Sequence, residues 1–257
     1  LTQSVTRNRW LTSKLLFGVL ATAAAVGLLT WSINWWASPI LATMDNRFDP
    51  ALFGLQGVVP VGYAVFAFAI GAGTGLLFRR TVPAMATTIA AYVAARLAVT
   101  YWVRPHFAAP VVKAFPLTAG SDIGFAVGPD GARLVAGSPS IPNAYVLSSK
   151  LVDGAGHAPT AAWLQAHCPN LPGVNGQPVP LPGPGGPGAK TAVPSPFGVK
   201  DAFNECIAVA SRTYHVAVTY QPGSRFWPFQ FAELGLFLVV ALLIGAGCFW
   251  WVRHRLA

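Results

Sequence analysis

The sequence predicts an α-helical integral membrane protein with four transmembrane helices and a small mixed α/β extracytoplasmic domain between the third and the fourth. Three observations predict it. The 257 residues are 54% hydrophobic and only 10% charged, whereas a soluble domain carries about 25% charged residues. Four stretches are long and apolar enough to cross a bilayer, which takes about 20 residues each. The basic residues fall on alternate connecting segments, the pattern that sets membrane orientation. The same composition excludes an ordinary soluble domain. It also excludes a disordered chain, which needs low hydrophobicity and many charges.

The first stretch, residues 14–37 (KLLFGVLATAAAVGLLTWSINWWA), ends in Trp31, Trp35 and Trp36, as an interfacial aromatic belt would. No small-residue cleavage site follows it, so it reads as an anchor and not as a signal peptide. The second, 54–78, is closed by Arg79 and Arg80. The third, 82–103, is entered through Pro83, which suits a first helical turn. The fourth, 228–252, runs into Arg253, His254 and Arg255. With the amino terminus in the cytoplasm, Arg7, Arg9, Lys14, Arg79, Arg80, Arg253 and Arg255 all lie inside, on segments that contain no Asp or Glu. The short outer loop 38–53 instead sets Arg47 against Asp45 and Asp49. The net charge of +9 is therefore a topology signature. A nucleic-acid surface would need basic residues clustered with aromatics on a soluble face. Expected localisation is the plasma membrane, multi-pass, with residues 1–13 and 253–257 both cytoplasmic.

Residues 104–227 form the outer segment. Residues 131–137, 143–152 and 214–222 read as strands by their β-branched and aromatic content. Residues 160–168 and 199–211 read as short helices. Between these helices, 171–196 (LPGVNGQPVPLPGPGGPGAKTAVPSP) is too rich in Pro and Gly for regular structure and reads as a long surface loop. Cys168 and Cys206 both lie in this segment, while Cys248 sits in the fourth apolar stretch. Two readings are open for the first two: separate thiols, or a disulfide, which an oxidising compartment favours.

Two ionisable residues lie well inside the apolar stretches, Arg96 and Glu233. At 1.5 Å per residue they sit about 10 Å and about 8 Å from the same outer face. Charges at such depth usually pair or face a cavity. An Arg96–Glu233 ion pair is one expectation; separate snorkelling to the interface is the other. In GAGTG (71–75), Gly71 and Gly75 form a small-xxx-small pair suited to helix packing, with no strand–turn–helix context for a dinucleotide site. The stretch 183–191 lacks the Gly-Lys-Ser/Thr of a phosphate loop. The five histidines show no metal-ligand spacing, and no nucleophile elbow supports a catalytic triad. No catalytic, cofactor or metal site is expected, so the chain is read as a non-enzyme.

One pattern carries more. The opening QSVTRNRWLTSKLLFG (3–18), GVVPVGYAVFAFAIGAGTGLLFRRTVPAMATT (57–88), YQPGSRFWPFQFAELGLF (220–237) and FWWVRHR (249–255) resemble small actinobacterial ABC-2-type exporter permeases. The resemblance implies six spanning helices with the external domain between the fifth and sixth. Four are read here, so the chain is expected to correspond to the last four, lacking the first two of the family pattern. It also implies a two-part machine: ATP hydrolysed by a separate ABC ATPase subunit, and a permease working as a homodimer or paired permease in the lipid bilayer, with no nucleic-acid partner. In the family, the cytoplasmic loop before the third helix docks on the ATPase; the matching positions are Ser4, Val5, Thr6, Arg7, Asn8 and Arg9. Plain positive-inside anchoring would also account for Arg7 and Arg9. The expected cargo is amphipathic or lipid-like by analogy alone. The alternative is a non-transport membrane anchor displaying an external binding or sensing domain.

Overall fold

The computed structural model describes residues 7–42, 46–78, 80–117, 123–128, 131–137, 139, 141–171, 174 and 199–255. They divide into two compact units, one of 1–109, 142–145 and 222–257, the other of 110–141 and 146–221.

The first unit is helical. α1 (Arg7–Ala42) is followed by the single turn α2 (Pro50–Phe53), α3 (Val59–Phe78) and α4 (Thr81–Ala98). α4 does not stop at its last α-helical residue. A π-helical turn (Val99–Val103) and a 3-10 turn (Arg104–His106) carry the helical path onward. Among the described residues, four helices are long and apolar enough to cross a membrane, the fourth continuing a 3-10 turn (Gly223–Arg225) into a 30-residue helix that ends at Arg255. At 1.5 Å per residue, the 36 residues of α1 span about 54 Å. That exceeds the roughly 30 Å of hydrocarbon in a bilayer, so the helix outruns its apolar stretch at both ends.

α3 is the hub, packing against α1, α4 and the Phe226–Arg255 helix. It buries Val59, Gly62, Tyr63, Val65, Phe66, Ala69 and Ile70, more than one stripe at helical spacing, because it has neighbours on several sides. It comes close to the last helix at Gly62, where a Cβ would stand 2.9 Å from Leu234 Cδ1 and 3.3 Å from Leu234 Cα. The expected packing pair Gly71 and Gly75 sits differently. A Cβ on Gly71 would make ordinary contact with Thr88 at 3.8 Å, and one on Gly75 would meet nothing within 4 Å. The polar fastening near that level is instead the Thr74–Thr88 hydroxyl pair at 2.9 Å. The outward surface is apolar: Leu16, Phe17, Leu28, Met85, Ile89, Leu242 and Leu243 are all exposed.

Among its described residues the second unit carries five strands: β1 (Val111–Pro116), β2 (Ile123–Gly128), β3 (Gly131–Ala136), β4 (Tyr145–Asp153) and β5 (Tyr214–Gln221). They form a three-stranded sheet in the order β1-β5-β4 and a β2-β3 hairpin. β1 and β5 run antiparallel, with Val111 opposite Tyr220 and Pro116 opposite His215. Two helices complete the unit, α5 (Ala161–His167) and α6 (Val199–Ala210); the Phe226–Arg255 helix is thus α7. Thr160 caps α5 by accepting the Trp163 N–H. Leu134, Leu151, Leu164, Ile207, Val216 and Val218 are buried in the core of the unit. A disulfide joins Cys168, just after α5, to Cys206 in α6, with Cα atoms 5.2 Å apart. Closing the 38-residue separation stabilises the fold by about 4 kcal/mol on the loop-entropy account.

Candidate functional site

The helical unit turns ordinary burial inside out. Its fully buried side chains include Arg104, Gln230 and Glu233, each 0% exposed. In lipid this is the economical arrangement, because charged groups cannot face hydrocarbon and must find partners within the bundle. α7 supplies two of these groups on one face, three residues apart.

Gln230 secures the start of α3. Its side-chain oxygen accepts the N–H groups of Val58 (3.2 Å) and Val59 (3.1 Å), and its Nε2 donates to the Phe53 carbonyl at 3.1 Å. The first amides of a helix have no partner of their own, and here a neighbouring helix provides it. The contact needs Gly57, whose φ of +66° suits glycine and where a Cβ would come within 2.7 Å of Gln230 Oε1.

One turn on, Glu233 holds a bidentate ion pair with Arg104: Nε donates to Oε2 at 2.9 Å and Nη2 to Oε1 at 3.0 Å. The Tyr63 hydroxyl also donates to Oε1. Such fork-to-carboxylate pairs combine strength with fixed orientation. The guanidinium carbon stands 4.1 Å over the Phe53 ring, while Arg104 Nη1 has no hydrogen-bond partner. Phe48 anchors the aromatic shell, with its ring centroid 5.7 Å from each of Phe53, Phe226 and Phe229. Phe107 meets Phe229 at 5.6 Å. Nearby Tyr145 has its phenol pKa pushed up, first of all by burial. α3, α7, the end of α4 and the 46–58 loop are thereby locked at one end of the bundle.

The expected Arg96–Glu233 pair is therefore corrected: Glu233 takes Arg104, and Arg96 lies against Gly54 with its guanidinium 4.9 Å from the Tyr63 ring centroid. The cause is the helical path beyond Ala98. The apolar run ends at Val103, which by sequence puts Arg104 in the outer segment, but the π and 3-10 turns keep it on the helix and turn it inward. Nothing in the sequence analysis singles out Tyr63 or Gln230. A Gln three residues before an intramembrane Glu was the one available signal. Of the residues matched to ATPase docking, Ser4, Val5 and Thr6 lie outside the described residues, Arg7 and Asn8 are described in their helical backbone only, and Arg9 is exposed. Among the described residues, no group of three or more His, Cys, Asp or Glu could hold a metal.

The chain's first 104 residues reach from α1 to the locking arginine, about two fifths of its length. Residues 1–104 match the family described as ABC-2 membrane transporter related. The match supports an ABC-2-type, permease-like membrane protein. ABC-2 permeases are generally non-enzymatic and usually pair with an ABC ATPase. The ABC-2-related stretch contributes Tyr63, Arg96 and Arg104 to the polar cluster, whereas Gln230 and Glu233 come from α7, beyond it. Neither a curated protein nor a solved structure matches the chain.

Proposed function

We propose that the chain is the permease component of an ATP-driven exporter in the plasma membrane, both termini cytoplasmic, working as a dimer or paired permease beside a separate ABC ATPase. The observation that carries this is the family match over residues 1–104 on a chain with four helices able to cross a membrane. The segment from Ser4 to Arg9 is the docking element in this reading, and ATP acts only through the partner. The cargo is amphipathic or lipid-like. A ligand-driven switch requires contacts that differ between two states. The Glu233–Arg104–Tyr63 cluster and the Gln230 cap supply the rigidity for one, because a displacement passed to α3 carries the end of α4 and the start of α7 with it.

The test is affinity purification of the chain in mild detergent from cells that express it with the ATPase encoded beside it. The ATPase should co-purify, and replacing Arg7 and Arg9 together by Gln should reduce its yield severalfold at unchanged membrane insertion. A chain that retains no Walker-motif protein, and whose loss leaves efflux of amphipathic compounds unchanged, would overturn the proposal.

A further inference from the structure

A cleft of about 510 Å³ opens between α1, the residues leading into α3 and the start of α7. Along α1 its wall runs Gly27, Thr30, Asn34, Ser38, one helix stripe about 16 Å long at 1.5 Å per residue. The stripe is graded. The Gly27 end faces Val61, whose Cγ2 is 3.9 Å from where a Cβ would be, and the Ser38 end is the one from which the chain leaves α1 for Arg47, which also lines the cleft. Exposed Trp31 and Trp227 also line the cleft, and indole rings settle at the headgroup level of a bilayer. Arg47 is the one charged residue among the described residues lining it, and its side chain is exposed.

Gln56 completes the site. It is only 8% exposed and lines the cleft, yet its Nε2 has no hydrogen-bond partner. A buried amide donor left unpaired is unfavourable, and an acceptor entering the cleft would relieve it. Apolar at one end, amide- and hydroxyl-lined further along and cationic at the other, this cleft has the polarity profile of one lipid molecule. We propose that it binds an acidic phospholipid, with the phosphate at Arg47, a glycerol or ester oxygen toward Gln56, and the upper acyl chain beside Gly27 and Val61. The proposal concerns lipid binding and stands whether or not the chain transports anything.

The full chain, purified in mild detergent, would be given equal amounts of phosphatidylglycerol and phosphatidylcholine with matched acyl chains, and retained lipid counted by native mass spectrometry. Phosphatidylglycerol should be favoured about fivefold, the effect of one basic residue at an anionic lipid. R47Q, a change at an exposed side chain, should bring the two lipids to parity. G27L should lower retention of both while leaving the headgroup residues intact. Equal retention by the wild type, or an R47Q preference equal to the wild type's, overturns the assignment. Displacement of phosphatidylglycerol by millimolar inorganic phosphate alone also overturns it, marking a free-anion site in place of a lipid one.

Discussion

Replacing Glu233 with Gln isolates the charge at the centre of the helical unit. The Arg104 and Glu233 side chains are 1% and 0% exposed, with Nε and Oε2 2.9 Å apart. At an effective dielectric of about 20, that separation gives a bare attraction of about 6 kcal/mol before either ion's desolvation is counted. Removing one member of a buried pair costs about 3–5 kcal/mol, because the other charge stays buried without compensation. Gln keeps the size of Glu and an acceptor for the Tyr63 hydroxyl, so the loss falls on the charge and not on packing. For a chain of this length each kcal/mol moves the melting midpoint by about 2–4 °C, so a fall of roughly 6–20 °C is expected. The assay is a thermal ramp in mild detergent, followed by size-exclusion chromatography with tryptophan detection. R104M should lose a similar amount. R104M with E233L should regain most of it, since well-packed apolar replacement of a buried pair is often neutral. R96Q removes a guanidinium that lies against Gly54 and over the Tyr63 ring, the ring contact being worth about 1–2 kcal/mol. Additive losses in the double variant, or a coupling of Glu233 to Arg96 as large as that to Arg104, would refute the reasoning.

Three further outcomes follow from the same geometry. C168S should destabilise the sheet-containing unit by about 4 kcal/mol, seen as an earlier unfolding step on a thermal ramp, and reductant should reproduce the effect in the wild type and not in the variant. G62L should disrupt the α3–α7 crossing and lower the yield of folded protein, whereas G75L, pointing into open space, should express normally; chromatographic monodispersity reads the difference. Asp153 Oδ1 accepts the N–H groups of His157 (2.8 Å) and Ala155 (2.9 Å), and those bonds, led by that from His157, hold its carboxyl below the usual range. Their contribution is present above the unfolded value of about 4 and is lost as pH falls through the lowered one. Protection of the Ala155 and His157 amides, read as exchange relative to the intrinsic rate at each pH, should therefore fall at low pH in the wild type, and should lose this pH step in D153N.

The four apolar stretches were legible because a bilayer imposes a length and a composition that little else in a sequence imitates. Residues 131–137, 143–152 and 214–222 read as strands because they are rich in β-branched and aromatic residues, and they contain β3, β5 and all of β4 but its last residue, Asp153. β1 (VVKAFP) carries a Lys and a Pro and β2 (IGFAVG) two glycines, so neither shows a clean alternation and neither is legible as a strand. The Glu233 partner was illegible for a different reason. Hydropathy marks where apolar residues end, not where the helix ends, and the π turn that brings Arg104 inward has no sequence signature. Small residues raise the same difficulty: Gly62, Gly71 and Gly75 look alike in sequence, and it takes the courses of α7, beside Gly62, and of α4, beside Gly71, to distinguish them.

The helical unit's architecture also says which of its helices lipid can most readily challenge. Between apolar helices in a bilayer there is no hydrophobic force, because lipid tails are as apolar as Leu; close packing and polar bonds decide what stays together. α3, α7 and the end of α4 share the Glu233, Arg104, Tyr63 and Gln230 bonds, and α3 and α4 share Thr74 and Thr88. α1 meets α3 through apolar contacts, Gly18 against Phe68 and Gly27 against Val61, with Val19 and Ala23 half-buried on the same side. Such contacts exchange with lipid at little cost. The polar part of the α1 stripe, Thr30, Asn34 and Ser38, lines the cleft. An acidic lipid in that cleft would touch α1, the α3 entry and the α7 start at once, adding polar contacts along a seam otherwise made of apolar ones. Loss of the lipid should therefore loosen α1 before it loosens α3, α4 or α7.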